Sequence, residues 1–308
     1  MNALNRPDRI KLVVAFFFIY FIWGSTYLAI RYAIETIPPF LMAGVRFTLA
    51  GSVLFLLMKL RGASAPSLTQ LWKLSIVGTF LFLGGNGLVV WAEQYIASGL
   101  AALLVALLPL WLIALDWLWA NGPPPTLRGC LGIVMGIIGV VILLDPSQLA
   151  STDIHLGGAF VTLLASVLWA IGSIYSKKFH QPDSIFMSAA CQMIGGGIAI
   201  LITSLILGEW QSFTPSEISL MSLGAFFYLV CFGSIIAISS YVYLLKHASA
   251  ASVSTYAFVN PAFAIFLGWL IADELVNLHI ITGALIILVG VILVISAQNT
   301  RLSQEKPD

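Results

Sequence analysis

The sequence predicts an all-α integral membrane protein, with ten transmembrane helices arranged as two inverted five-helix repeats around a central cavity. Three observations lead to this fold class. First, 60% of the 308 residues are hydrophobic and only 9% are charged, whereas soluble domains average about 45–50% apolar residues. Second, apolar stretches long enough to cross a bilayer recur along the whole chain. Third, the second half of the chain repeats features of the first half.

The apolar stretches define ten predicted spans. A helix needs about 20 residues to cross about 30 Å of hydrocarbon, and every backbone amide within it must find an internal partner. The first stretch follows the basic segment 6–11, but it is too long for a typical signal peptide and lacks an obvious cleavage site. In chain order, the spans are 12–32, 39–58, 71–92, 97–118, 127–144, 156–176, 185–207, 219–243, 251–271 and 279–297.

Residues in the two halves match in pairs. The spacing within the pairs is nearly constant, and a few residues of loop insertion explain its small increase along the chain. The pairs are Trp23 with Trp169, Arg46 with Gln192, Gly51 with Gly197, Pro109 with Pro261, Gly132 with Gly283, and Gly139 with Gly290. We therefore divide the chain into a first repeat at 12–144, a second repeat at 156–297 and a polar cytoplasmic tail at 298–308. An odd number of spans per repeat inverts the second, a geometry typical of alternating-access transporters.

The charged residues indicate the orientation of the ten spans. Positive residues stay on the cytoplasmic side during insertion. When loops are assigned alternately to the two sides, almost all Lys and Arg residues fall on the side that holds both termini, and Arg31 falls clearly on the other. That other side holds the acidic residues Glu35, Glu93, Asp145, Asp153, Glu209, Glu217, Asp273 and Glu274. Both termini are therefore expected in the cytoplasm.

An ordered set of short motifs resembles the EamA-type carriers of the drug/metabolite transporter superfamily. The set comprises Trp23-Gly24-Ser25-Thr26, Arg46-Phe47, the prolines at 109 and 261, and the glycine pattern from Gly283 to Gly290. It covers nearly the whole chain, about 12–297. The resemblance implies export or facilitated movement of amino acids and related metabolites across the bacterial inner membrane, through a cavity between the repeats. Two departures stand out: Asp273-Glu274 replaces a common Gly-Glu pair, and Asn121-Gly122 stands where a carboxylate is common.

Pro109 and Pro261 are the strongest local indication of a binding site. Proline lacks a backbone donor and clashes with the carbonyl four residues earlier, so Val105 and Ala257 are expected to lose helical partners. Free carbonyls at membrane depth occur only where protein or a wet cavity surrounds them. Asn260 adds a polar group beside the second proline. The alternative is that each proline simply kinks its helix.

Arg46 is the one charge well inside a predicted span. An arginine at membrane depth costs about 2.5–3.5 kcal/mol on insertion scales, so it requires a partner or water. Its guanidinium could attract the carboxylate of a substrate. We favour the alternative, in which Arg46 pairs with Glu93 or Glu35, or extends to the outer surface.

The remaining candidate site residues are aromatic or polar side chains within spans. For any single one, packing between helices is the expected role. As a group they predict a pocket suited to flat or apolar side chains, because an indole or hydroxyl donor in the membrane seeks an acceptor. They are Trp23, Ser25, Thr26, Asn86, Trp91, Trp111, Trp169, Ser173, Gln192 and Tyr256.

These patterns favour a secondary transporter of small metabolites over an enzyme. The four histidines lie in loops or at span ends, the three cysteines lack metal-ligand spacing, and no nucleotide-binding motif is present, so we expect no catalytic residues, metal, cofactor or nucleic-acid partner. The expected partners are a small solute and the lipid bilayer, and the sequence leaves a homodimer undetermined. No carboxylate lies near the middle of a span, which favours facilitated movement; Glu93 and Asp116 are the first candidates if protons drive transport. An intramembrane enzyme and a non-transporting subunit of a membrane complex are the alternatives.

Overall fold

The computed structural model describes residues 9–119, 122, 124–144, 155–179, 182–248 and 250–304. Within these ranges every regular element is helical. In chain order the principal helices are α1 (Arg9–Ala33), α2 (Pro39–Leu60), α3 (Leu68–Ala92), α4 (Ser98–Val105 and Leu108–Trp119), α5 (Leu127–Leu143), α6 (Leu156–Ser176), α7 (Ile185–Ile206), α8 (Leu220–Tyr228, Leu229–Ile236 and Ala237–His247), α9 (Ala250–Val253 and Tyr256–Ala272) and α10 (Leu278–Gln304).

Eight of these helices are long and apolar enough to cross a membrane, judged by length and composition over the described residues. Two apolar helices are shorter, Leu127–Leu143 and Tyr256–Ala272. The helix bounds agree with the predicted spans to within a few residues, except that α10 continues to Gln304, seven residues into the segment that we assigned to the polar tail. Residues 1–8 and 305–308, whose cytoplasmic location we predicted, lie outside the described part of the chain.

Two pairs of helices pack closely and antiparallel through glycine. Gly44 near the start of α2 lies against Leu201 near the end of α7, and Gly51 lies against Ala190 and Ile194 nearer the start of α7. The helices α5 and α10 pack in the same manner, with Gly132 against the Gly290 carbonyl and Gly139 against Ile287 and the Gly283 carbonyl. Small residues let the backbones of membrane helices approach one another. The helices paired here are those that the sequence repeat relates to one another.

The helices α4 and α9 are each broken into two segments. In α4 the helix breaks at Ala106 and Leu107, just before Pro109, as the proline predicts. In α9 Pro261 lies inside the helix Tyr256–Ala272; because proline has no backbone N–H, it cannot supply the helical hydrogen bond to the Ala257 carbonyl. The break instead falls at Ser254 and Thr255, where the Ser252 carbonyl accepts hydrogen bonds from the backbone N–H and the hydroxyl of Thr255.

Matching π-helical segments in α3 and α8 were not predicted. They span Thr79–Gly87 and Leu229–Ile236. In each one a polar side chain bonds the carbonyl five residues earlier: Asn86 Nδ2 donates to the Leu81 oxygen at 3.4 Å, and Ser234 Oγ donates to the Leu229 oxygen at 3.0 Å. π-Helical turns occur mostly as local bulges and often lie at functional sites.

The bundle has an acidic end and a basic end. At the acidic end, two carboxylates cap helices of the other half of the chain: Glu209 accepts from the backbone N–H groups of Phe40 and Leu41, at 3.2 and 2.8 Å, and Glu274 caps α4. A carboxylate is favourable there because the first amide groups of a helix lack partners and carry partial positive charge. At the basic end, the Lys178 ammonium lies 4.4 Å from the ring centre of Trp119.

Candidate functional site

A cavity of about 250 Å³ lies where the breaks of α4 and α9 meet. Side chains from α1, α4, α8, α9 and α10 line it, and none of these lining residues is charged. Its polar groups are three tyrosine hydroxyls, one serine and one amide. The lining residues are Tyr27, Ala102, Val105, Ala106, Leu108, Pro109, Leu112, Tyr241, Val253, Ser254, Tyr256, Ala257, Asn260, Pro261 and Ile295.

Aromatic rings form one wall of this central cavity. Trp23 packs against both Tyr256 and Tyr241, with ring centres 5.2 and 5.3 Å apart. Tyr241 and Tyr256 meet edge to face at 5.9 Å. These contacts fix the two tyrosine rings, so their hydroxyl groups occupy defined positions beside the cavity.

Asn260 joins α9 to α1 at the edge of the same cavity. Its side chain is buried, and its amide nitrogen lies 3.3 Å from the carbonyl oxygens of both Ile19 and Tyr20. The two helices approach closely here, since a Cβ on Gly24 would contact the Phe263 ring and the Asn260 carbonyl. The polar side chain is therefore held in one orientation by the backbone of a neighbouring helix.

The two halves of α4 differ in packing. Every residue from Ser98 to Leu104 is buried, whereas Leu110 is the one buried residue of the second half, Leu108–Trp119. The buried half lies at the acidic end, where Gly99 packs against Ile265 of α9. The cavity extends toward the basic end as far as Leu112 and Ile295. The first half of α4 is thus buried against α9 at the acidic end, while the second half is more exposed.

A second cavity, of about 610 Å³, lies at the acidic end. Its lining residues include four carboxylates, Glu35, Glu93, Asp273 and Glu274, and one arginine, Arg31. Arg31 Nη1 donates to Glu274 Oε1 at 2.8 Å. The two oxygens of Glu274 also accept from the backbone N–H groups of Ser98 and Gly99, at 2.8 and 3.1 Å. One carboxylate therefore links α1 and the start of α4 to the segment between α9 and α10.

Glu93 follows the last residue of α3 and is buried, with 4% of its surface exposed. Neither of its carboxylate oxygens has a hydrogen-bond partner in the described part of the chain. Burial raises the pKa of Glu93 well above its usual range, and the charge of Glu274 raises it further, while Arg31 and Arg46 act in the opposite direction.

Four of the predicted site residues line the central cavity: Pro109, Tyr256, Asn260 and Pro261. Trp23 packs against the rings of Tyr241 and Tyr256 and is not itself a lining residue. The other aromatic and polar candidates do not line it. Several of them bond to the backbone of their own helices, and the set comprises Ser25, Thr26, Asn86, Trp91, Trp111, Trp169, Ser173 and Gln192.

Arg46 is buried away from both cavities. Its Nε donates to Ser234 Oγ at 3.0 Å, and its guanidinium carbon lies 4.6 Å from the centre of the Phe47 ring. Its Nη1 has no partner among the residues that the structure describes. The expected ion pair with Glu93 or Glu35 is absent there, since the one salt bridge found in the described ranges joins Arg31 to Glu274. The π-helical segment of α8 supplies the partner of Arg46 instead.

The structure adds cavity residues that the sequence did not single out. Tyr27 and Ala106 line the central cavity. Ala106 lies three residues before Pro109, so the helix break expected at this proline could have predicted that Ala106 lines the cavity. Tyr27 gave no comparable signal, because tyrosines are scattered over several spans.

Comparison with known proteins gives a consistent family assignment. The model of the EamA-like transporter family matches the chain twice, at residues 10–145 and 156–296. The chain is 36% identical over 260 residues to the Escherichia coli (strain K12) protein described as uncharacterized inner membrane transporter YedA, covering 84% of this chain and 82% of that protein. It is 26% identical to the Bacillus subtilis (strain 168) protein described as uncharacterized transporter YoaV, covering 92% and 96%.

A solved crystal structure shares the fold. It aligns with a TM-score of 0.63 at 19% sequence identity, covering 96% of this chain and all of the other. At this identity the likeness concerns the fold alone.

Proposed function

Because the chain belongs to the EamA-like transporter family, we propose that it is a secondary transporter that moves small metabolites outward across the inner membrane by alternating access. We propose amino acids or related compounds as substrates. The relative YedA carries the description of an inner membrane transporter, which supports the location.

An inverted-repeat layout of ten spans, with both termini in the cytoplasm, is part of this proposal. Two separate matches to one family model support a duplication. The antiparallel packing of α2 with α7 and of α5 with α10 supports inversion, because equivalent helices of inverted repeats run in opposite directions. The acidic end then faces the outside and the basic end faces the cytoplasm.

The single observation that carries the proposal is the central cavity at the breaks of α4 and α9, with buried α4 residues toward one end and more exposed α4 residues toward the other. Alternating access requires a midplane site that one side of the bundle covers at a time. In this arrangement the tight packing of Gly99 on Ile265 closes the outer side. The structure then corresponds to an inward-facing state.

The cavity lining supports a small solute without net charge. At about 250 Å³ the cavity lies just below the range of about 300–1,000 Å³ that holds drug-sized ligands. A bare charge would find no oppositely charged side chain among the lining residues, whereas a zwitterion could use hydroxyl and amide groups at both of its ends. The apolar residues of α4 would then contact the substrate side chain.

Flux measurements with the purified protein in liposomes test the proposal. Liposomes are preloaded with an unlabelled neutral amino acid, and exchange for its labelled form is compared with acidic and basic amino acids and with protein-free liposomes. We expect exchange of neutral compounds. Absence of flux for the whole panel would favour a non-transporting subunit, and chemical conversion of the solute, detected by mass spectrometry, would favour the enzyme.

A further inference from the structure

The buried carboxylate of Glu93 is used neither in the central cavity nor in the closure of the acidic end. Neither arginine near it donates a hydrogen bond to it: Arg31 donates to Glu274 at 2.8 Å, and Arg46 donates through Nε to Ser234 at 3.0 Å, while its Nη1 has no partner among the described residues. The two oxygens of Glu93 have no hydrogen-bond partner over the described ranges. A neighbouring carboxylate with similar burial, Glu274, accepts three hydrogen bonds. The two glutamates therefore have different roles.

A buried carboxylate without hydrogen bonds is stable only in its neutral form. Removing an isolated ionised carboxylate from water costs several kcal/mol or more, and in practice such a group takes up a proton. The described groups around Glu93 do not reverse this. Glu274 faces it from the α9–α10 segment with the same charge. Arg31 on α1 forms its ion pair with Glu274, and Arg46 on α2 donates to Ser234 and makes no ion pair with Glu93 in the described ranges.

Other titratable groups near Glu93 also do not supply a counter-charge. Tyr27 on α1 interacts electrostatically with Glu93. Glu35, Asp273 and Tyr95 line the acidic-end cavity beside it. None of these side chains carries a positive charge at neutral pH.

A proton is the ligand that fits this position. The oxygens of Glu93 are covered by protein, so an organic cation could not reach them. No group of three or more His, Cys, Asp or Glu residues able to hold a metal ion occurs in the part of the chain that the structure describes. Glu93 is one of the residues that line the adjacent cavity of about 610 Å³ at the acidic end, so water in that cavity would lie next to this residue.

We propose that Glu93 is a proton-binding site that locks the outer side of the transporter, taking up a proton when α4 closes on α9 and releasing it when they separate. The inference rests on the proposed function for the meaning of opening and closing. Separation of α4 from α9 withdraws Ser98 and Gly99 from Glu274. Arg31 is then free to pair with Glu93, and water reaches the carboxylate, so both changes favour its ionised form.

The sign of the pH effect follows from linkage. Glu93 binds a proton more tightly in the closed state than in the open state, where its pKa approaches the ordinary value of about 4.3. Low pH therefore favours the closed state. Between the open-state and closed-state pKa values, each unit of increasing pH lowers the ratio of closed to open molecules by up to about tenfold.

Electron spin resonance distance measurements test the proposal. Spin labels are attached to cysteines at positions Gln94 and Leu275, two exposed positions on opposite sides of the α4–α9 contact, in a background without Cys130, Cys191 and Cys231. The protein is studied in nanodiscs from about pH 5 to about pH 9, a range that includes measured pKa values of buried glutamates. We expect the long-distance, open population to grow with pH.

The variant Glu93→Gln, which mimics the protonated form, should keep the short distance at every pH. The matched control is Glu35→Gln, which removes an exposed carboxylate from the same cavity and should retain the pH response. A wild-type distance distribution that does not change with pH overturns the proposal even if Glu93→Gln fails to fold. A pH response that survives in Glu93→Gln, or disappears in Glu35→Gln, overturns it as well.

Failure of this inference is distinguishable from failure of the proposed function. Liposome flux with a distance distribution insensitive to pH leaves the transporter proposal intact and removes the proton site. A pH-dependent distance that requires Glu93, in a protein without flux for any solute, leaves the proton site intact and removes the transporter proposal.

Discussion

Replacing Glu274 with Gln tests whether a single carboxylate holds the acidic end closed. Oε1 of Glu274 accepts from Ser98 N and from Arg31 Nη1, both at 2.8 Å, and Oε2 accepts from Gly99 N at 3.1 Å. The glutamine side chain has nearly the same size but keeps one accepting oxygen. Its amide nitrogen would face a backbone N–H group, so one of the two bonds to α4 is lost together with the ion pair.

The expected magnitude follows from these contacts. A hydrogen bond to a charged group contributes about 1.5–3 kcal/mol. The ion pair contributes at most about 1 kcal/mol, because the Arg31 side chain is 39% exposed and solvent screens it. The sum, about 1.5–4 kcal/mol, shifts the ratio of closed to open molecules by about tenfold to nearly a thousandfold toward the open state.

The assay is the distance between spin labels at positions 94 and 275, with Glu209→Gln as the matched control. Glu209 caps α2 with similar chemistry, accepting from Phe40 N, Leu41 N and Ser204 Oγ. The α2 helix packs on α7 and not across the α4–α9 contact, so the control should lower the melting temperature without lengthening the 94–275 distance. The reasoning is refuted if Glu274→Gln leaves the distance distribution unchanged, or if Glu209→Gln lengthens it equally.

Four further predictions concern the central cavity and the helix packing. Tyr256→Phe removes a hydroxyl worth about 1 kcal/mol of binding, so KM should rise about fivefold, whereas Tyr243→Phe, which lies outside the cavity, should not change it; equal KM values would exclude the hydroxyl as a ligand group. Ala257→Phe should fill the cavity and stop flux in a protein that still elutes as one species, and normal flux would place the substrate path elsewhere. Gly132→Leu should abolish folded protein on size-exclusion chromatography, because its side chain would meet the α10 backbone; an unchanged melting temperature would contradict the close α5–α10 contact. Arg46→Lys should lose the hydrogen bond to α8 and lower the melting temperature, and flux at the wild-type rate in the folded variant would exclude Arg46 as a substrate contact.

The candidate site was only partly predictable from the sequence. Pro109 indicated the break in α4 because proline removes a backbone donor wherever it lies. Pro261 lies inside the second segment of α9, and the break in that helix falls earlier, where the Thr255 hydroxyl donates to the Ser252 carbonyl. Arg46 was expected to pair with an acid, but a serine in a π-helical segment is its partner. The chemistry of a single residue predicts that its helix is perturbed. It does not predict which residue elsewhere in the chain becomes the hydrogen-bond partner.

The hydrogen bonding of the carboxylates at the acidic end was still less predictable from the sequence. Glu93 and Glu274 are both glutamates that closely follow apolar helices, and their sequence contexts do not distinguish them. One accepts three hydrogen bonds, and the other accepts none in the described chain. The difference arises because the start of α4 lies against the α9–α10 segment, a contact between residues far apart in sequence.

The sequence by itself determined that the protein is helical and rich in potential membrane spans, and it determined the approximate bounds of ten helices. Hydropathy and helix length are local quantities, so a single pass along the chain was enough. The tertiary structure alone decided which face of each helix lines the cavity, how the acidic end is closed, and which carboxylate is left without partners. Lipid is as apolar as the interior of the bundle, so hydropathy does not distinguish the face of a helix that contacts lipid from the face that contacts protein.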